Sequence, residues 1–237
     1  MKPAEMIYRR KSVRSYTSEP MDAETLQKIG KLIAGLKPLY PEIPLRAEIL
    51  PKNEVRSFMP WMPAQAIAIY TNESEGALEN AGFVFQQLEL ALQCMGIGVC
   101  WLGLGKPARH SARPDGLHCV MMMAFGRPKG EQLRETAAFR RKSLAEISDI
   151  ADERLELARL APSSVNSQPW RFTHEGETIH VHCAKQGIVK VLTDMNRIDV
   201  GICLAHLYVC RPESFAFFRQ EGVSSPRGCA YIGSLHI

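Results

Sequence analysis

The sequence has 237 residues, 46% hydrophobic and 23% charged, with 17 glycines and 15 prolines, an ordinary composition for a globular chain of one large domain or two small ones. A net charge of +4 and a pI near 8.7 suit anionic ligands but are too mild for a nucleic-acid reader, whose basic residues would mass on one stripe. No apolar run approaches membrane-spanning length, and the N-terminal MKPAEMIYRRKS lacks the apolar segment of a signal peptide, so neither nucleic acid nor membrane is expected as a partner.

In chain order, Arg10, Ser12 and Arg14 alternate in RRKSVR. If the stretch is extended, they share one side. Two guanidiniums and a hydroxyl there make a phosphate site, because arginine donates in a planar fork that matches phosphate oxygens. The competing reading is a solvated basic face. Asp22–Ala34 is predicted helical, with Leu26, Ile29 and Ile33 on one face and Gly35 as the stop. Pro38, Pro41 and Pro44 exclude a helix through residues 37–45. Arg46–Leu50 and Gln65–Thr71 are predicted strands. Between them FMPWMPAQ is either core packing or the lining of an apolar pocket.

Leu78–Met95 is predicted to be a long, mostly apolar and hence buried helix, ended by Gly96. The following GIGVCWLGLG contains a GxG, but here a helix precedes and a strand, Val99–Leu102, follows. That order excludes the dinucleotide fingerprint, which needs strand then helix. Cys119–Phe125 is a strongly apolar strand. Its Met121, Met122 and Met123 are expected in the core. Further on, Asp152–Ala161 reads as a helical run, Trp170–Thr173 and Thr178–Cys183 as a hairpin around Glu175-Gly176, Asp199–Cys210 as an apolar helix, and Phe215–Arg219 and Tyr231–Ile237 as late strands.

The stretch LAPSSVNSQPWRF, Leu160–Phe172, carries the most chemistry. Pro162 stops a helix, and Ser163, Ser164, Asn166, Ser167 and Gln168 follow within six positions. Hydroxyls and carboxamides both donate and accept, which suits the edge of a heteroaromatic ring such as a flavin. The alternative is a set of turns that satisfy their own backbone. The seven cysteines are odd in number, form no CxxC and mostly sit in apolar runs. Reduced thiols and a cytoplasmic location are expected. His180 and His182 share a strand face while Cys183 points away, so no metal is expected there.

The two parts of the chain echo each other. YRRKSV at Tyr8–Val13 resembles FRRKSL at Phe139–Leu144, and Gly82 and Gly201 each open an apolar helical stretch. The sequence then resembles the FMN-dependent nitroreductase family. Arg10-Lys11-Ser12-Val13-Arg14 resembles its N-terminal phosphate motif, GIGVCWLG its helix-to-strand segment, AFGRP (Ala124–Pro128) its strand end with Arg127 in place of an aromatic, and RRKSLAEI its basic tail. PSSVNSQPWRF is typical of the family but stands out of order. Ordinary members carry it after the first helix, where this chain has GLKPLYPEIPLR, and use it on the flavin of a partner subunit. The order here resembles the single-chain, pseudo-dimeric branch.

That resemblance implies an α+β fold of mainly antiparallel sheets with flanking helices, with two similar halves fused, 1–147 and 148–237. The first half would hold the FMN phosphate and the second would supply the contacts of a partner, so that the chain acts as a monomer. Cofactor-binding roles are implied for Arg10, Lys11, Ser12, Arg14, Arg140, Arg141, Pro162, Ser163, Ser164, Asn166 and Gln168, with no catalytic side chain and no metal. The implied activity is NAD(P)H oxidation by a ping-pong route, with a nitroaromatic or quinone-like small molecule as acceptor. A flavin-binding or flavin-processing protein without that turnover is the alternative, and a basic interaction module without cofactor the third. The second RRKS is then either a trace of duplication or the tail of the first half, clamping the phosphate opposite Arg10 and Arg14. The fit of LAEI to the family tail favours the tail.

Overall fold

The computed structural model describes residues 1–108, 114–185 and 190–237. Its helices and strands run α1 (Pro3–Met6), α2 (Ala23–Gly35), β1 (Leu45–Pro51), β2 (Val55–Arg56), β3 (Gln65–Thr71), α3 (Ala77–Cys94), β4 (Gly98–Leu102), β5 (Lys106–Pro107), β6 (His118–Gly126), α4 (Leu144–Ile147), α5 (Glu156–Arg159), β7 (Trp170–Glu175), β8 (Thr178–Ala184), α6 (Lys190–Cys210), β9 (Ala216–Phe218) and β10 (Cys229–His236). The chain forms two compact units. One comprises Met1–Ala77 and Gln87–Ala138, the other Leu78–Gln86 and Phe139–Ile237.

The first unit is built on an antiparallel sheet of order β1-β3-β6-β4. Its two central strands are buried along most of their length, which is why AIAIYT and MMMAFG read as continuous apolar runs rather than alternating ones. Met121, Met122 and Met123 are buried core residues, as their apolar context implies. The FMPWMPAQ stretch divides. Met59, Trp61 and Met62 pack on the cluster of Leu50, Ala66, Ala68, Tyr70, Leu102 and Met122, whereas Phe58 is 91% exposed. Helix α2 starts where Asp22 accepts the Thr25 N–H at 2.8 Å, a side-chain cap for an otherwise unpaired donor.

The second unit has an antiparallel sheet of order β7-β8-β10-β9. In chain order each four-stranded sheet reads first, second, fourth, third, and a long helix joins its second strand to its third. The two sheets thus share one strand order and one connection. The two glycines explain how the helices pack. Within the second unit the N-terminal turns of α3 cross α6 so closely that a Cβ on Gly82 would lie 2.0 Å from the Ile198 carbonyl oxygen. A Cβ on Gly201 would lie 2.0 Å from that of Glu79. The contacts are reciprocal: Gly82 also faces Ile202 N, and Gly201 also faces Phe83 N. Only a residue without Cβ permits this approach of two backbones.

Candidate functional site

The first cluster of predicted site residues lies in the first unit. Residues 10–16 are extended, as alternation required, and bridge Arg10 to Leu133, Ser12 to Val99 in parallel, and Tyr16 to Pro128. They form a strap along β4, the edge strand, with the Val13 N–H donating to the Val99 carbonyl at 2.9 Å. Arg10 does not share an outer face with Arg14. It is 1% exposed, and its Nε donates to buried Glu89 at 2.8 Å while Nη2 donates to Ser12 Oγ at 3.1 Å. The physical reason is Glu89. A carboxylate fully buried on α3 requires a cation, and Arg10 supplies it. Gln93, one turn further along α3, accepts the Lys11 backbone N–H at 3.1 Å and also donates to Glu89. Arg134 donates to the Arg10 carbonyl at 3.0 Å, and burial together with Arg10 pushes its pKa down to about 10. The strap therefore has an inner layer of Arg10, Arg134 and Glu89, and an outer layer in which Lys11 and Arg14 are exposed beside half-buried Ser12. Four cations against one carboxylate leave an excess of positive charge with N–H and O–H donors, a set that fits an anion.

The second cluster lies in the second unit. After α5, Pro162 is buried and the chain enters a turn in which Val165, Asn166 and Gln168 all have positive φ, at 46°, 59° and 49°. Asparagine tolerates that region. A β-branched valine does so only under strain. The side chains of Ser163 and Gln168 close the turn on itself. Gln168 N–H donates to Ser163 Oγ at 2.9 Å, and the Gln168 carboxamide donates to the Asn166 carbonyl at 3.1 Å. Ser164 N–H donates to Asp199 Oδ2 at 2.9 Å. The turn is also zipped to the second RRKS. Arg141 Nη1 donates to Asn166 Oδ1 at 2.6 Å, Asn166 Nδ2 to the Arg140 carbonyl at 3.0 Å, the Lys142 N–H to Gln168 Oε1 at 2.7 Å, and Lys142 Nζ to the Ser167 and Gln168 carbonyls. Arg140–Lys142 thus belong to the second unit, where they bind residues 160–168.

A family model described as "Putative TM nitroreductase" matches residues 3–211. The chain belongs to this family. A search of the curated proteins finds no match. Among solved structures, a putative nitroreductase from Thermotoga maritima is 20% identical, with a TM-score of 0.67, over 100% of this chain and 94% of that one. A nitroreductase family protein from Clostridium difficile 630 is 15% identical, with a TM-score of 0.51, over 65% of this chain and 99% of that one. At these identities the likeness bears on fold, and the nitroreductase-like α+β architecture is the one expected from the sequence.

Sequence reasoning missed several residues of this chain. Glu79, Gln86, Gln87, Glu89 and Gln93 are all buried on α3, a helix read as mostly apolar. Their signal was present: long polar side chains interrupt an apolar run, and buried ones need partners. Gln87 shows the device plainly, accepting from Lys37 N–H at 3.3 Å and donating to the Lys37 carbonyl at 2.8 Å. Asp199 carries the same signal on α6. The histidines of β8 are likewise committed. His180 pairs with Ser234 and Glu175, and His182 with Thr173 and Ser225. Burial pushes the His182 pKa down to about 4. Among the described residues no group of three or more His, Cys, Asp or Glu is placed to hold a metal. All seven cysteines are free, and burial raises the Cys119 and Cys183 thiols to about 11 and 12.

Proposed function

We propose that the chain is an FMN-dependent NAD(P)H oxidoreductase of the nitroreductase type, reducing nitroaromatic or quinone-like acceptors as a cytoplasmic monomer of two fused units. The observation that carries this reading is the strap on β4. Exposed Lys11 and Arg14 and half-buried Ser12 stand on a backbone that Glu89 and Gln93 fix through Arg10 and Lys11. Such a donor set fits the terminal phosphate of FMN. In this reading Lys11, Ser12 and Arg14 bind the phosphate. Arg10 holds the strap in register from behind, and Arg141 with Lys142 maintains the turn at Ser163–Gln168. Bound there, the flavin would accept a hydride from NADH or NADPH and return two electrons to the acceptor in separate half-reactions. No side chain is asked to act as acid or base.

The test uses Lys11→Ala with Arg14→Ala, because removing Arg10 would also strand buried Glu89. Loss of two charge-assisted contacts is expected to weaken FMN binding by about tenfold to a hundredfold or more, with the fold intact. FMN affinity equal to wild type would sink the phosphate assignment. Oxidation of NAD(P)H with menadione or nitrofurazone, measured on the flavin-loaded protein, separates turnover from flavin binding alone.

A further inference from the structure

Asp199 is a carboxyl in the middle of an apolar helix, 4% exposed, whose Oδ2 accepts the Ser164 N–H at 2.9 Å. One turn earlier on α6, Met195 Sδ accepts the Ser164 hydroxyl at 3.5 Å. Ser164 therefore ties the turn to α6 at two points. Val165 follows with φ 46° and is 92% exposed, so packing does not hold its strained backbone. Hydrogen bonds must. Those from Asn166 N–H to the Ser163 carbonyl (3.1 Å), from Ser167 N–H to the Ser164 carbonyl (2.9 Å) and from Gln168 N–H to Ser163 Oγ (2.9 Å) close the turn on itself. They give it shape but do not attach it to a rigid element.

We propose that Asp199 is the positioning residue of the Ser163–Gln168 turn: through the Ser164 amide it docks the turn on α6 and so sets where Ser163, Ser164 and Asn166 point. This rests on the flavin reading only for what the turn contacts; the docking itself is a property of the second unit. Burial raises the Asp199 pKa to about 8, and the Ser164 N–H is the influence that lowers it. At neutral pH the group is then largely a neutral carboxyl that still accepts the amide, and ionisation would place an uncompensated charge in the buried site and loosen the docking. The ionisable groups that feel it are Cys203, one turn on, and Cys183 of β8. Burial keeps both thiols protonated, so neither adds a like charge beside it. The Glu79–Arg197 pair, 2.6 Å apart, also bears on Cys183.

The test is amide hydrogen exchange on the full chain without flavin, for wild type, Asp199→Asn and Asp199→Leu, followed by FMN titration of each. Asp199→Leu is expected to lower protection at Ser164–Gln168 by about tenfold or more, leaving β8 and β10 unchanged, and to weaken FMN binding by about tenfold. Asp199→Asn, which keeps an acceptor, should restore both. Because undocking the turn would let water reach Asp199, whose docked pKa is about 8 against an ordinary 3.8, wild-type protection, corrected for intrinsic exchange, should fall as pH rises toward 8, and Asp199→Asn should lack that step. Unchanged protection in Asp199→Leu, an Asn variant as damaged as the Leu variant, or unaltered FMN affinity on a loosened turn would each overturn the proposal. Should Asp199→Leu not fold, the pH step and its loss in Asp199→Asn decide. Failure of wild type to take up flavin would remove the flavin reading while the exchange result still judged the docking.

Discussion

Gly82→Ala adds one methyl group at the tightest point of the second unit. Its Cβ would stand 2.0 Å from the Ile198 carbonyl oxygen, 2.9 Å from that residue's carbonyl carbon and 3.0 Å from Ile202 N. All three are backbone atoms of α6, so no side chain can swing away. Reaching even a 3.0 Å contact requires the helices to separate by about 1 Å, a gap that forfeits about a quarter to a half of each dispersion contact across it. The neighbours that lose are buried: Phe83, Ile198, Ile202 and Leu204. Overpacking of this kind costs about 1–3 kcal/mol and sometimes more. Exchanging glycine for alanine in a helix returns about 0.8–1.0 kcal/mol. With backbone on both sides of the clash, the upper part of the range applies, and a net loss of about 2 kcal/mol is expected. In a chain of this length that lowers Tm by about 4–8 °C. Gly30→Ala is the control. It lies in α2, nothing stands within 4 Å of its added Cβ, and it should gain stability. Urea and thermal unfolding measure both. A Gly82→Ala protein as stable as wild type would refute the close-crossing argument.

Other outcomes follow from the buried charges. Arg10→Met or Glu89→Leu alone should cost about 3–5 kcal/mol, because each strands a buried partner, whereas the double variant should recover much of the loss in a double-mutant cycle. Gly201→Ala should resemble Gly82→Ala, and the pair should cost less than the sum, since one separation of the helices accommodates both methyls. His182 is held neutral in the fold, with a pKa near 4 against an ordinary 6.5. The unfolded chain then binds more protons below pH 6.5, so this contribution is complete above 6.5 and lost as pH falls toward 4. His182→Gln should flatten the stability profile across that window, as read by urea midpoints.

The sequence was informative where one physical demand acts locally. Continuous apolar runs marked β3 and β6, Asp22 and Gly35 bounded α2, and Glu175-Gly176 turned the β7–β8 hairpin. It was less informative where a demand is met from far away. Alternation correctly put Arg10 in an extended strap, but nothing near it in sequence announced that Glu89, 79 residues on, would draw its guanidinium inward. The Ser and Asn of Leu160–Phe172 were visible as a polar cluster. The left-handed φ of Val165 and Gln168 was not, because neither residue type favours it and only the surrounding hydrogen bonds impose it.

The two RRKS segments show how one pattern takes two roles. Placing Gly82 on Gly201 sets Glu89 on Tyr208 and Gln93 on Pro212. The first RRKS is fixed by the carboxylate of Glu89 and the carboxamide of Gln93. A phenol offers the second copy no countercharge, and a proline two residues beyond the end of α6 offers no side-chain acceptor. Arg141 and Lys142 therefore find acceptors elsewhere, on Asn166, Ser167 and Gln168 and on the Leu160 carbonyl. The backbone N–H of the lysine still ends on a glutamine Oε1 in both copies, Gln93 in one and Gln168 in the other. The arginine before it ends on the Glu89 carboxylate in the first copy and on the Asn166 carboxamide in the second. That one substitution of partner leaves the first copy as a strap whose outer cations face solvent, and makes the second the fastening of a strained turn.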